Sequence, residues 1–90
     1  MTVSVVLYGA PDCHLCDVAK QVVESQRAAL GFDLQTIDIS GDPELEARYR
    51  EQIPVVFVAG RKAFTYRVDP AELARRVIAA SQSSASGRPL

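Results

Sequence analysis

The chain is poor in cysteine and histidine. It holds two cysteines and one histidine in 90 residues, and all three fall within Cys13-His14-Leu15-Cys16. A structural zinc site takes about four ligands, so these three residues do not make one within a single chain, and no metal is expected. A net positive charge is also missing. Ten Lys and Arg against eleven Asp and Glu give a net charge of −1. That leaves no clustered basic surface for nucleic acid and no polybasic segment for a membrane face. Long apolar runs are missing too. The longest lies near residues 53–59, far short of the roughly 20 residues that span a bilayer. Met1-Thr2-Val3-Ser4 offers no basic region ahead of an apolar stretch. No secretory leader is read there, and the cytoplasm is the expected location. In a reducing compartment a C-x-x-C is redox-active or metal-binding more often than a permanent staple. The near-neutral, patch-poor composition leads to the expectation of a monomer.

What the chain does have is a strand-like run, Val3-Ser4-Val5-Val6-Leu7-Tyr8, directly before the cysteines, and a helix-like run directly after them. Two thiols spaced this way on a first helical turn can close a small disulfide. The free N–H groups and the macrodipole at that helix end favour a thiolate on the first of them.

The remaining elements follow from patterning. Residues 3–8 are apolar and β-branched, as suits a central strand covered on both faces. Gly9-Ala10-Pro11-Asp12 breaks that run, and Asp12 or Cys13 can cap the helix that follows. Val18, Ala19, Val22, Val23, Ala29 and Leu30 recur at helical spacing, and Gly31 stops the helix as a left-handed residue. Residues 32–39 read as a second strand, without clean alternation to mark an inward face. Asp42 caps a short helix over 43–50 with Pro43 at its first position. Ile53-Pro54 opens a strand over 55–59. Gly60-Arg61 separates it from a hairpin partner at 62–66. Asp69 caps a last helix with Pro70 first and Glu72 placed to reach back to the cap. From Ser81 the composition turns to Ser, Gln and Gly and predicts a frayed tail. The expectation is one α/β domain over residues 1–80 with a flexible tail over 81–90. Its order is β-α-β-α-β-β-α, with a four-stranded mixed sheet flanked by helices.

Three stretches together make the chain resemble the glutaredoxin-like branch of the thioredoxin fold over residues 3–80. They are Tyr8-Gly9-Ala10-Pro11-Asp12-Cys13-His14-Leu15-Cys16, Gln52-Ile53-Pro54-Val55-Val56-Phe57-Val58 and Val68-Asp69-Pro70-Ala71-Glu72-Leu73. The resemblance implies a thioredoxin-like fold and a thiol–disulfide oxidoreductase. Cys13 is then the nucleophile and Cys16 the resolving thiol. It also implies a cis Ile53–Pro54 bond that turns the N–H and C=O of Ile53 outward to pair with an extended peptide or a tripeptide. Pro11, His14, Leu15, Ile53, Pro54 and Asp69 become the substrate-binding residues. A protonated His14 would stabilise the Cys13 thiolate, whereas Asp12 and Asp17 oppose it.

The chain departs from the family pattern at several points. His14 stands where proline is common. Gln52 replaces a threonine. Phe64-Thr65-Tyr66-Arg67 stands where a glycine pair lets a ligand approach the backbone. The basic residue usual just before the first cysteine is absent, and Arg61, Lys62 or Arg67 are its possible substitutes. No cofactor is expected, with glutathione as a possible co-substrate. The partners expected are disulfides of proteins or small thiols, with glutathione or a thioredoxin reductase system as reductant. Two other readings stay open. One is a cluster carrier bridging an iron–sulfur centre between two protomers through the first cysteine. The other is a thioredoxin-fold interaction domain without catalysis.

Overall fold

Seven elements follow one another in a computed structural model that describes residues 2–86. They are β1 (Ser4–Gly9), α1 (His14–Leu30), β2 (Asp33–Asp38), α2 (Pro43–Tyr49), β3 (Val55–Val58), β4 (Arg61–Thr65) and α3 (Pro70–Ser86). The strands form one sheet in the order β2-β1-β3-β4. β1 pairs parallel with β2 and antiparallel with β3, and β3 pairs antiparallel with β4. The order β-α-β-α-β-β-α and the mixed four-stranded sheet agree with the architecture expected from the sequence.

Alternation along β1 and β3 separates two cores. Val5, Leu7, Val56 and Val58 turn to one face, where Ala19 and Val23 of α1 and Leu73 and Val77 of α3 cover them. Tyr8, Val55 and Phe57 turn to the other, where Leu45 and Tyr49 of α2 meet them with Ile39 and Ile53. The second core is mainly aromatic. Tyr8 and Tyr49 stack with ring centroids 4.8 Å apart, and Phe57 meets both edge-on. Burying one side chain of this size contributes about 1.5–3 kcal/mol.

Backbone chemistry accounts for the boundaries. Gly31 closes α1 at φ 78°, and its N–H donates to the Arg27 carbonyl. Asp42 Oδ1 accepts from the N–H groups of Glu44 and Leu45 and starts α2. Asp69 Oδ2 accepts from the Glu72 N–H at 2.9 Å and starts α3. The Glu72 side chain does not return to this cap. It binds Arg75 and Arg76 instead, since both guanidinium groups lie within one turn on the same face.

Two local expectations are corrected, the β3–β4 turn and the end of α3, and two that the sequence left open, the face of β2 and the cap of α1, are resolved. The β3–β4 turn is Ala59-Gly60, both with positive φ, so Arg61 belongs to β4 and not to the connection. A two-residue hairpin of this kind needs left-handed conformations at both central positions. β2 shows no clean alternation because it is an edge strand, with Gln35, Thr36 and Asp38 exposed and only Leu34 reaching the larger core. Polar residues on an edge also discourage pairing with another chain. The helix cap at the cysteines is Cys13 and not Asp12. Finally, α3 continues over residues 81–86, where a frayed tail was expected. A helix already under way adds one hydrogen bond for each further residue fixed, and Ser, Gln and Ala cost it little. The rest of that expected tail, 87–90, lies outside the described residues.

One close approach fixes α1 on the sheet. A Cβ added at Gly9 would stand 3.1 Å from Cys16 Sγ and 3.2 Å from Cys16 Cβ. The end of β1 therefore has to be bare for the first turn of α1 to sit there. Gly9→Ala is expected to destabilise the oxidised protein by about 1–3 kcal/mol, the usual cost of overpacking. Urea unfolding measures this, and an unchanged midpoint would show that the first turn yields freely.

Candidate active site

The turn between β1 and α1 delivers both sulfurs to one end of the sheet. The Cys13 N–H donates to the Ala10 carbonyl at 3.3 Å, which closes the turn. Cys13 is extended, with φ −110° and ψ 109°, and caps α1. Its Sγ accepts a hydrogen bond from the Cys16 N–H at 3.1 Å, and its carbonyl accepts from the Asp17 N–H at 3.2 Å. Cys16 lies one turn inward, its residue only 5% exposed, while Cys13 is half-buried. The two are joined as a disulfide, with Cα atoms 5.2 Å apart. One sulfur thus faces outward at the positive end of a helix and the other is covered. That asymmetry permits sequential attack through the outer sulfur and resolution by the inner one.

The loop ahead of β3 is tied down from two sides. The Ile53–Pro54 bond is cis and Pro54 is buried. The Ile53 N–H donates to the Tyr49 carbonyl at 3.1 Å, next to a bond from Gln52 N–H to the same oxygen at 2.8 Å. This corrects the expectation that both backbone groups of Ile53 turn outward: the N–H serves the end of α2. From the other side, the Tyr66 N–H donates to the Pro54 carbonyl at 2.9 Å and the Tyr66 hydroxyl to the Glu51 carbonyl at 2.8 Å. Tyr66 holds φ 70°. An L-residue in that region costs about 1–2 kcal/mol, and the two hydrogen bonds offset it.

Between α1 and the β4–α3 connection runs a groove of about 310 Å³ lined by Leu15, Val18, Tyr66, Arg67, Asp69 and Pro70 among others. A second hollow of about 250 Å³ lies by Gly9, Pro11, Cys16, Lys20 and Asp38. The residues singled out from the sequence therefore divide. Leu15 and Asp69 share the groove. Tyr66 connects that groove to Pro54. Pro11 belongs to the second hollow, and His14 is exposed at the first helical position. Of the three basic candidates, Arg67 lines the groove. Lys62 instead binds Gln52 Oε1 at 2.6 Å, and Arg61 lines a separate cavity with Arg76 and Ala80.

Side-chain ion pairing beside the cysteines is weak. Asp12 meets Arg50 at 3.9 Å with both side chains largely exposed, an arrangement that contributes little in water. Hydrogen bonding from Arg75, followed by the charges of Arg75 and Arg76, holds the Glu72 carboxyl below its usual range. Sequence reasoning missed Gly9, Val18 and Tyr66 as parts of the site. Gly9 was available as a glycine directly before the C-x-x-C turn. Tyr66 was available as a bulky residue at a position where glycine is usual, but its left-handed backbone was not.

A family model for the Glutaredoxin-like domain (DUF836) matches residues 4–78. Among curated proteins, the uncharacterized protein Rv0508 of Mycobacterium tuberculosis is 38% identical over 63 residues, which cover 63% of this chain and 64% of that protein. The matched stretch thus falls just short of two thirds of that relative's length. The X-ray structure of XcR50 from X. campestris is 30% identical, with a TM-score of 0.70, over 83% of this chain and 96% of that one. The solution structure of Ne2328 from Nitrosomonas europaea is 26% identical, with a TM-score of 0.68, over 90% and 92% of the two chains. Chloroplastic thioredoxin z, at 19% identity, shares the fold, with a TM-score of 0.74 over 90% of this chain and 80% of that one. With the strand order, the helix placement and the Cys13–Cys16 pair already described, these matches establish that the chain belongs to the glutaredoxin-like domain family and has the thioredoxin fold.

Proposed function

We propose that the chain is a thiol–disulfide oxidoreductase working through a Cys13/Cys16 dithiol–disulfide couple. The observation that carries this reading is the hydrogen bond from the Cys16 N–H to Cys13 Sγ at the start of α1. A sulfur that already accepts a helix N–H is the one whose anion that helix end stabilises.

In the reduced protein the Cys13 thiolate attacks a substrate disulfide. A bond forms between Cys13 Sγ and one substrate sulfur, and the other substrate sulfur leaves as a thiolate. Cys16 then attacks Cys13 Sγ, releases the second substrate thiolate and restores the internal disulfide. Two electrons pass from the protein to the substrate in one cycle. The substrates are disulfides of proteins or of small thiols, and glutathione or a thioredoxin reductase system returns the two electrons. The couple suits a reducing compartment such as the cytoplasm, where it rests as the dithiol. The cycle routes no step through a metal or a resident cofactor. We assign Leu15, Ile53, Pro54 and Asp69 to the substrate surface, with Pro11 and His14 at its rim. Asp69 has a structural duty as well, because one of its oxygens caps α3.

Dithiothreitol-driven reduction of insulin tests the assignment of roles. Cys13→Ser is expected to abolish catalysed reduction. Cys16→Ser is expected to stop turnover while still accumulating a mixed disulfide at Cys13, detected by mass spectrometry. Equal residual activity in both variants would contradict the division of labour between the two sulfurs.

The reductant is tested by equilibrating the couple in glutathione redox buffers. A glutathione-linked enzyme is expected to poise near the glutaredoxin range of about −200 to −230 mV. A value near that of thioredoxin, about −270 mV, would reassign the electrons to a thioredoxin reductase system.

A further inference from the structure

Tyr66 holds a backbone conformation that glycine takes freely and that L side chains rarely adopt, φ 70°. The ring is nevertheless fixed in place. The main-chain N–H donates to the Pro54 carbonyl, and the hydroxyl at the far end of the side chain donates to the Glu51 carbonyl. The side chain is thereby stretched along the loop that carries Ile53 and Pro54, and the residue is still 50% exposed. Exposed large apolar side chains are few among the described residues: Leu15 at 37%, Val18 at 44%, Tyr66 at 50% and Ile78 at 46%. The first three of these line the groove between α1 and the β4–α3 connection, which meets the cysteine turn at Leu15, the residue directly before Cys16. Singly exposed apolar residues need no explanation, but a cluster next to a reactive group does.

Main-chain recognition at the Ile53–Pro54 loop, which Tyr66 ties to this groove, is reduced. The Ile53 N–H is already given to the Tyr49 carbonyl, so an incoming backbone cannot form the paired hydrogen bonds that need both groups of Ile53. Discrimination then falls to side chains. A ring held by its hydroxyl offers an apolar wall whose ordering does not have to occur on binding.

We propose that Tyr66 is the specificity-determining residue of this site. With Leu15 and Val18 it forms an apolar wall that favours protein segments carrying an apolar side chain beside their half-cystine over small hydrophilic thiols such as glutathione. This rests on the exchange chemistry proposed above and names its substrate class. The covalent step is a disulfide exchange without net oxidation. Cys13 Sγ bonds to the substrate sulfur, the substrate S–S bond breaks, and the departing sulfur takes the electron pair and then a proton from water. Tyr66 supplies no proton or electron. It acts on which disulfide is held long enough to react.

The test is a comparison of mixed-disulfide equilibria in the Cys16→Ser background, where Cys13 is the one remaining thiol. The two probes are oxidised glutathione and the symmetrical disulfide of a short peptide with leucine beside its cysteine. With Tyr66 present the ratio of equilibrium constants is expected to favour the peptide. Tyr66→Gly, which suits the left-handed backbone, is expected to lower that ratio about tenfold, on the scale of an apolar specificity contact. Tyr66→Phe keeps the ring without its anchor and is expected to lower the ratio by much less. An unchanged ratio in Tyr66→Gly would overturn the proposal, and so would an equal fall in Tyr66→Phe, which would put the selectivity in the hydroxyl's hold on the loop. These equilibria need no turnover. Absence of insulin reduction by the unmodified chain would refute the oxidoreductase reading, while the ratio would still decide the role of Tyr66.

Discussion

The site depends on a sulfur doing the work of a helix cap. Helix N-termini leave N–H groups without partners, and a serine, threonine or aspartate oxygen commonly accepts from one of them. In this chain Cys13 Sγ takes that place and accepts from the Cys16 N–H. The consequences run outward in both directions. Upstream, the Ala10–Cys13 turn must close tightly, and Gly9 must carry no side chain so that Cys16 can lie against the end of β1. Downstream, α1 must leave the turn at an angle that puts Ala19 and Val23 onto Val5 and Leu7. The packing that stabilises the domain and the polarisation of the outer sulfur are therefore two effects of one local geometry.

The opposite wall is built on different physics. There the β4–α3 connection and the loop ahead of β3 are held by hydrogen bonds: Tyr66 to Pro54 and Glu51, Ile53 to Tyr49 and Lys62 to Gln52. Charge contributes little, because the ion pairs of the described residues lie on exposed side chains. Asp69 shows how one group can serve both fold and site. Its carboxylate starts α3, and the same residue lines the groove. Any loss on substituting it has to be divided between helix stability and substrate contact before it is read as recognition.

Much of this was legible in the sequence because short-range chemistry decided it. The β-branched run of β1, the proline-first helices behind Asp42 and Asp69, and the left-handed Gly31 all act within a few residues of themselves. Cys13 and Cys16 were legible for the same reason, since their spacing alone puts both on one helical turn. The rest depended on partners distant along the chain. β2 gave no readable face because an edge strand is selected for its exposed rim as much as for its buried side. The Ala59-Gly60 turn was misplaced by one residue because the hairpin forces a left-handed alanine. The Ile53 N–H could not be assigned from sequence, because its acceptor is the end of α2. Tyr66 looked like an obstruction where glycine is usual, and only the fold reveals the two carbonyls that hold it. The helix over residues 81–86 shows the limit of composition, which judges whether a segment can start structure better than whether a helix under way can continue.

The central claim is that the first turn of α1 activates Cys13 and not Cys16. The most direct measurement is the pH dependence of iodoacetamide alkylation of the reduced protein, with the modified residue identified by peptide mass spectrometry. The account predicts that Cys13 is alkylated first, with its reactivity half-developed well below the value of about 8.5 of a free cysteine. Alkylation of both cysteines at the rate and pH of a free thiol, or of Cys16 first, would contradict it.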